Sequence, residues 1–293
     1  MQTLSPASNR FTFAVPVKKA PVIDGKLEKE FWDNVPRAKF FQVQNLSTTS
    51  LTKQTSFRIA HDSKYLYLGA TMWESTPELI QKNTDWINFI FSHTYNREGT
   101  WQDSPYMFLR FSADGTQIGF YNELPGKVEK PLKDESSEWV TAYSKDNTRW
   151  YIESRIPLKL LNLTAPKKGD KIYLNVRRDL MTGPASEKQS CWNSFASPAL
   201  DAHSFGTLYF AGRIGKSKGF DDRINGRARY WFQSRYLKTL VNKKGEYISA
   251  KQKYSNLAGW KEAEDLINKF KTVFDAEFKK DPWTISDQFE DFL

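Results

Sequence analysis

The feature that most constrains the fold is a succession of short alternating apolar runs between residues 11 and 210, each ended by turn residues. Runs of branched and aromatic residues with a period of two are typical of half-buried β-strands. Short turns join three pairs of these runs and predict hairpins: 55–60 with 65–72, 106–111 with 117–121, and 139–143 with 150–156. The pattern predicts a mainly β fold, an antiparallel sandwich of the jelly-roll type or a barrel.

One early segment departs from the strand pattern. Residues 24–32 read as a turn followed by a short helix, because Leu27, Phe31 and Val35 recur on one helical face. We expect Phe31 and Trp32 to plug one edge of the sandwich.

The pattern changes again after residue 211. Gly212, Gly215 and Gly219 mark a boundary, which divides the chain into a β domain at 11–211 and an extension at 212–293. Apolar residues then recur at helical spacing: Ile224, Ala228, Trp231, Phe232 and Leu240, and later Trp260, Ala263, Ile267, Phe270, Phe274 and Phe278. This predicts two amphipathic helices that pack on the β domain, on each other, or against a protein partner.

Charge and composition argue against several classes of protein. The formal net charge is +9, yet Lys and Arg form no run of five or more, and no nucleic-acid motif is found, so we expect no nucleic-acid partner. No apolar run approaches the roughly 20 residues of a membrane-spanning helix, and residues 1–9 lack the features of a signal peptide. Cys191 is the single cysteine, which excludes an internal disulfide; we expect a buried, inert thiol.

Six stretches, in order along the chain, resemble the family 9 carbohydrate-binding modules. They are residues 22–32, 57–68, 101–109, 150–157, 169–178 and 205–208, so the resemblance covers about residues 21–210. The resemblance implies a β-sandwich related to the dopamine-monooxygenase N-terminal-like domains. It also implies a non-catalytic, carbohydrate-binding bacterial protein that is secreted, periplasmic or on the cell surface and accompanies polysaccharide-degrading enzymes.

The resemblance further implies a sugar site around Trp101. In family members a Trp at this place forms one wall of an aromatic slot, and the apolar C–H face of a sugar can stack on its indole. Polar contacts are implied for Asp103, Tyr106, Arg177 and Gln117, although Tyr106 stands where the family has an acidic residue. Ala199 aligns with the second wall and cannot stack as an indole does.

The segment between Trp73 and Trp101 offers a replacement for that wall. It contains Trp86, Phe89 and Phe91, and it could fold over Trp101 to rebuild a cleft. The alternative prediction is a loop-and-helix excursion that packs its own rings. Trp192 resembles the buried strand tryptophan of the family, and we expect it in the core.

Family members also often hold structural Ca²⁺ through loop carboxylates and carbonyls. Because this chain has no dense Asp/Asn loop, the resemblance implies a possible calcium ion without naming its ligands.

Three other functions stay open on the sequence. Related sandwich domains bind haem, for which the available ligands are His61, His93, His203, Met72, Met107 and Met181. Glycoside hydrolysis needs two carboxyl groups in one cleft, and Asp103, Glu153 and Asp179 are the acidic residues near predicted strands. A scaffold or interaction protein with a degenerate sugar site is the third.

Overall fold

The computed structural model describes residues 10–39, 41–43, 53–74, 85–93, 105–122, 130–132, 137–180, 188–193, 205–212 and 261. The chain divides into two units, Met1–Arg227 and Ala228–Leu293, and every described strand belongs to the first. Apart from Gly212 and Lys261, the predicted helical extension lies outside the described residues. The two helices and their protein partner therefore stay predictions.

The described residues form thirteen strands, one short α-helix and one 3₁₀ helix. The strands are β1 (Phe11–Pro16), β2 (Gln42–Val43), β3 (Thr55–His61), β4 (Tyr65–Trp73), β5 (Trp86–Ser92), β6 (Tyr106–Ser112), β7 (Gln117–Asn122), β8 (Lys130–Pro131), β9 (Val140–Lys145), β10 (Arg149–Pro157), β11 (Lys171–Asp179), β12 (Gln189–Cys191) and β13 (Gly206–Phe210). The α-helix, α1, spans Lys29–Trp32, and the 3₁₀ helix spans Leu158–Leu161. All three predicted hairpins are present as β3–β4, β6–β7 and β9–β10.

The strands form two halves joined by β1. The first half has the order β8-β7-β6-β5-β11-β13, with β12 beside β11 and β2 beside β12. The second half has the order β3-β4-β10-β9. Strand β1 lies between β13 and β3 and runs parallel to both, whereas the other pairings are antiparallel. The predicted mainly β fold is confirmed, with two parallel pairings added to the antiparallel pattern.

The core lies between the two halves. Phe57 of β3 meets Phe89 of β5, with 5.6 Å between ring centroids, and meets Trp192 at 5.3 Å. Phe111 of β6 meets Trp139, next to β9, at 6.0 Å. These edge-to-face contacts across the halves are the favourable arrangement for aromatic pairs and show a sandwich. The prediction that Trp192 belongs to the core is confirmed.

The segment that contains Trp86 is a β-strand, contrary to one of the two predictions made for it. The predicted loop-and-helix excursion is wrong for Trp86–Ser92, which forms a strand paired with β6 and β11. Every residue of β5 is buried, because both faces of the strand are covered. A strand buried on both faces reads as a nearly continuous apolar run, so its alternation is hidden in the sequence.

Helix α1 is present, but it covers a sheet face rather than an edge of the sandwich. The Trp32 indole is fully buried against Gly69 of β4, where an added Cβ would come within 3.0 Å of the ring. Trp32 Nε1 donates a 2.6 Å hydrogen bond to Oε1 of Glu153 on β10. A small residue on β4 and a carboxylate on β10 therefore dock this helix.

Candidate functional site

The candidate site lies on the face of the first half that is turned away from the core, here called the distal face. Successive strand residues point to opposite faces, so Ile87, Phe89 and Phe91 enter the core while their neighbours lie on the distal face. Cross-strand register aligns one row of side chains there: Trp86 and Asn88 of β5, Phe108 and Arg110 of β6, and Arg177 and Asp179 of β11.

A chain of hydrogen bonds links the polar members of this row. Arg110 Nε donates to Asn88 Oδ1 at 2.8 Å, and Asn88 Nδ2 donates to Asp179 Oδ2 at 2.8 Å. The same carboxylate oxygen accepts a 3.0 Å bond from Arg177 Nη2. Because Asn88 is fully buried, it fixes both Arg110 and Asp179 in place.

Aromatic rings hold the guanidinium groups of this row. The guanidinium carbon of Arg110 lies 5.3 Å from the ring centroid of Trp86 and 5.1 Å from that of Phe108. Arg177 lies 6.0 Å from the same Phe108 ring. These are cation–π distances, and they hold both arginines against apolar surface. The row thus combines rings with rigid polar groups, which is the composition of a site for a polar ligand with apolar faces.

Two polar atoms of this row have no hydrogen-bond partner. Arg177 Nε and Asp179 Oδ1 are buried and have no hydrogen-bond partner in the structure. A buried unpaired polar atom costs about 1–3 kcal/mol, and most buried polar atoms of native proteins bond to a protein group or to ordered water.

The structure places three of the predicted site residues on one face, with Trp86 and Arg177 in the row and Tyr106 about 13 Å along β6 from Arg110. Trp86, Tyr106 and Arg177 all lie on the distal face, and the Tyr106 hydroxyl accepts a 3.4 Å bond from Asn122 Nδ2. Gln117 lies on the opposite, core-facing side beside Phe111, where its Nε2 donates to the Trp139 carbonyl at 2.9 Å. The sheet therefore separates Gln117 from the other three.

Two predicted contacts, Trp101 and Asp103, lie outside the described residues, as does Ala199. Their roles in a sugar site stay predictions.

The sequence interpretation missed Asn88 and Arg110 and considered Asp179 only as a catalytic acid. A signal existed for the first two. Asn88 is a single polar residue within the apolar run of β5, and Arg110 continues the alternation that begins with Tyr106 and Phe108.

Cys191 lies opposite Arg177 on the same face. Burial raises the pKa of its thiol to about 12, so the thiol stays protonated at neutral pH. The prediction that Cys191 is buried is confirmed.

Residues considered for haem are engaged elsewhere. The His61 ring packs edge-on against Phe210 at 5.1 Å, and His93 Nε2 lies 2.8 Å from the Leu161 carbonyl oxygen. Met72 and Met107 belong to the core. His203 and Met181 lie outside the described residues.

Within the described ranges, no group of three or more His, Cys, Asp or Glu side chains is placed to hold a metal ion. The calcium ion implied by the family resemblance stays a prediction.

The acidic residues considered for hydrolysis do not share a cleft where they are described. Glu153 belongs to β10 in the second half, and its carboxylate accepts N–H groups from Gly25 and Trp32 at 2.9 and 2.6 Å. Asp179 lies on β11 in the first half, paired with Arg177. Asp103 lies outside the described residues.

In the part of the chain that is described, no helix is long and apolar enough to cross a membrane.

Comparison with known proteins identifies relatives by structure alone, since no family model and no curated protein matches the chain. A candidate carbohydrate-binding protein from Bacteroides uniformis is similar at a TM-score of 0.53 and 14% identity, covering 69% of this chain and 99% of that one. A family 9 carbohydrate-binding module from Caldicellulosiruptor kristjanssonii, solved with glucose, has a TM-score of 0.49 and 15% identity over 70% of this chain and 97% of its own. The same module solved with cellotriose gives the same values of TM-score and identity. The β domain thus has the sandwich fold expected from the resemblance to family 9.

Proposed function

We propose that this chain is a non-catalytic carbohydrate-binding protein whose ligand contacts the partly exposed members of the row on the distal face, Arg110, Arg177 and Asp179. The observation that carries the proposal is the row in which Arg110, Asn88, Asp179 and Arg177 are hydrogen-bonded in series beside Trp86 and Phe108. A sugar presents apolar C–H patches and hydroxyl groups, so it needs both rings and rigid polar partners.

The remaining part of the proposed site comes from the family resemblance. Trp101 would supply the stacking wall, and Asp103 and Tyr106 would contact hydroxyl groups at its edge. In this proposal the protein is secreted by a bacterium and accompanies enzymes that degrade polysaccharides. Fold similarity to a candidate carbohydrate-binding protein supports the sugar ligand in general terms.

The test is calorimetric titration of the full chain with a panel of glucose, cellotriose, xylotriose, mannotriose and an oligogalacturonate. We expect at least one sugar to bind, and we expect Arg110→Ala to weaken its binding about tenfold or more, because a held guanidinium is lost. Trp101→Ala should weaken it comparably through loss of stacking.

A matched control is available in the second half. Arg149 lies 5.2 Å from the ring centroid of Trp73, so Arg149→Ala removes the same kind of arginine–tryptophan contact from the second half, outside the row. It should bind the sugar as the wild type does. Binding of no sugar on the panel, or equal losses for Arg110→Ala and Arg149→Ala, would contradict the proposal.

A further inference from the structure

One residue beside the row has a side chain with no partner at all. Asn193 is fully buried, and neither its Oδ1 nor its Nδ2 has a hydrogen-bond partner in the structure. Its backbone, by contrast, is well held: its N–H donates to Asn175 Oδ1, and its carbonyl accepts from Asn175 Nδ2, both at 3.0 Å. The position is thus rigid, while the amide group is unsatisfied.

The place of Asn193 in the fold connects it to the candidate site. Asn175 is on the distal face of β11, two residues from Arg177, which corresponds to about 7 Å along a strand. Asn193 is held beside Asn175, and Cys191, two residues earlier, pairs with Arg177. The unpartnered amide therefore belongs to a residue held beside β11, two strand positions from Arg177 and four from Asp179.

The donor or acceptor character of these atoms limits which groups could bond to them. Arg177 Nε and Asn193 Nδ2 are donors that need acceptors, whereas Asp179 Oδ1 and Asn193 Oδ1 are acceptors that need donors. Carboxylate, sulfate and phosphate groups only accept, and they would meet the Asp179 carboxylate. A hydroxyl group both donates and accepts, so hydroxyl groups can satisfy unpartnered atoms of both kinds.

We propose that Asn193 is a contact and specificity residue of this site, whose amide recognises a pair of ligand hydroxyl groups. Oδ1 accepts a hydrogen bond from one hydroxyl, and Nδ2 donates to the other. This inference rests on the proposed carbohydrate function and adds a residue that neither the sequence motifs nor the row of side chains includes.

The experiment compares Asn193→Ala with the wild type, using whichever sugar of the panel binds best and the monodeoxy forms of that sugar. Asn193→Ala should weaken binding of the parent sugar about tenfold or more, since two hydrogen bonds are lost. The wild type should bind one or two of the deoxy forms more weakly than the parent. Asn193→Ala should bind those same forms and the parent with equal affinity.

Thermal unfolding without sugar separates this role from a structural one. Because the Asn193 amide bonds to nothing in the chain, Asn193→Ala should keep or raise the melting temperature. Asn175→Ala is the matched control: it removes an amide with three backbone partners, and it should lower the melting temperature.

The outcomes distinguish the two proposals. If no sugar binds to the wild type, the proposed function fails and the role of Asn193 fails with it. If sugars bind and Asn193→Ala binds them equally well, the role of Asn193 alone is overturned. A lower melting temperature for Asn193→Ala with unchanged affinity would instead indicate an amide that holds internal water.

Discussion

Glu153 shows how one buried carboxylate ties the N-terminal segment to the sheet. It is fully buried, and its two oxygens accept hydrogen bonds from the backbone of Asp24 and Gly25 and from the Trp32 indole. Burial raises the pKa of Glu153 to about 7, because the ionised form loses its hydration and the three donors compensate only in part.

This shift predicts a pH-dependent stability. A carboxyl group whose folded pKa is raised stabilises the fold fully below its unfolded pKa of 4.5, and this contribution is lost as pH rises through 7. The free energy of unfolding of the wild type, relative to Glu153→Gln, should fall by about 3 kcal/mol over that range. Urea unfolding of both proteins at several pH values measures it.

Glu28→Gln serves as the control, because Glu28 is exposed and the change removes a carboxylate without this network. Its difference from the wild type should be nearly independent of pH. A flat difference for Glu153→Gln would show that the buried carboxylate is ionised at no net cost.

At the scale of elements, β5 is the strand on which both the core and the candidate site depend. Its odd-numbered side chains, Ile87, Phe89 and Phe91, enter the core, and Asn88 organises the distal face. Phe89→Ala should therefore cost about 3–5 kcal/mol of unfolding free energy through the cavity it leaves. Chemical denaturation measures this loss.

Phe11→Ala is the comparison for that change, since Phe11 is only partly buried and packs at the margin of the core. It should lose clearly less than Phe89→Ala. Equal losses would indicate that β5 is not central to the core.

The same strand explains which elements could be predicted from the sequence. The hairpin β6–β7 could be predicted because Asp114 and Gly115 mark a turn between two short apolar runs. Strand β5 could not, because burial of both its faces removes the polar half of the alternation. The pairing of β1 with β13 and β3 joins residues far apart in sequence, and no local pattern encodes it.

Some residues of the candidate site could likewise be predicted from the sequence, and others could not. Arg177 could be found through the family motif on β11, and Trp86 through the aromatic content of its segment. Asn193 could not, because a missing hydrogen-bond partner is a property of the folded surroundings rather than of the residue. Gln117 has a suitable side chain, but strand register turns it to the core-facing side.

At the scale of the whole molecule, the net charge of +9 should attract polyanions, and this attraction should depend on salt more strongly than binding of a neutral sugar does. Attraction to polyanions is screened by salt, since the Debye length falls from about 10 Å at 0.1 M to about 3 Å at 1 M. Hydrogen bonds and stacking with a neutral sugar depend little on salt. Affinity for a neutral sugar should change less than about twofold between 0.05 and 0.5 M NaCl, as calorimetry can measure.

Retention of the same protein on a cation exchanger should fall steeply over that range and provides the comparison. A comparable fall in affinity for the neutral sugar would place long-range charge, rather than the distal face, at the centre of recognition.

Strand β1 has a consequence for how this protein is made. It is the seam between the two halves, and one of its neighbours, Gly206–Phe210, is the last described strand of the chain. During synthesis β1 is made before β13, so the side of β1 that pairs with β13 stays unpaired until Gly206–Phe210 has left the ribosome. Closure of the sandwich is therefore a late event of synthesis, and a chain that stops before Gly206 leaves its first strand with an open edge.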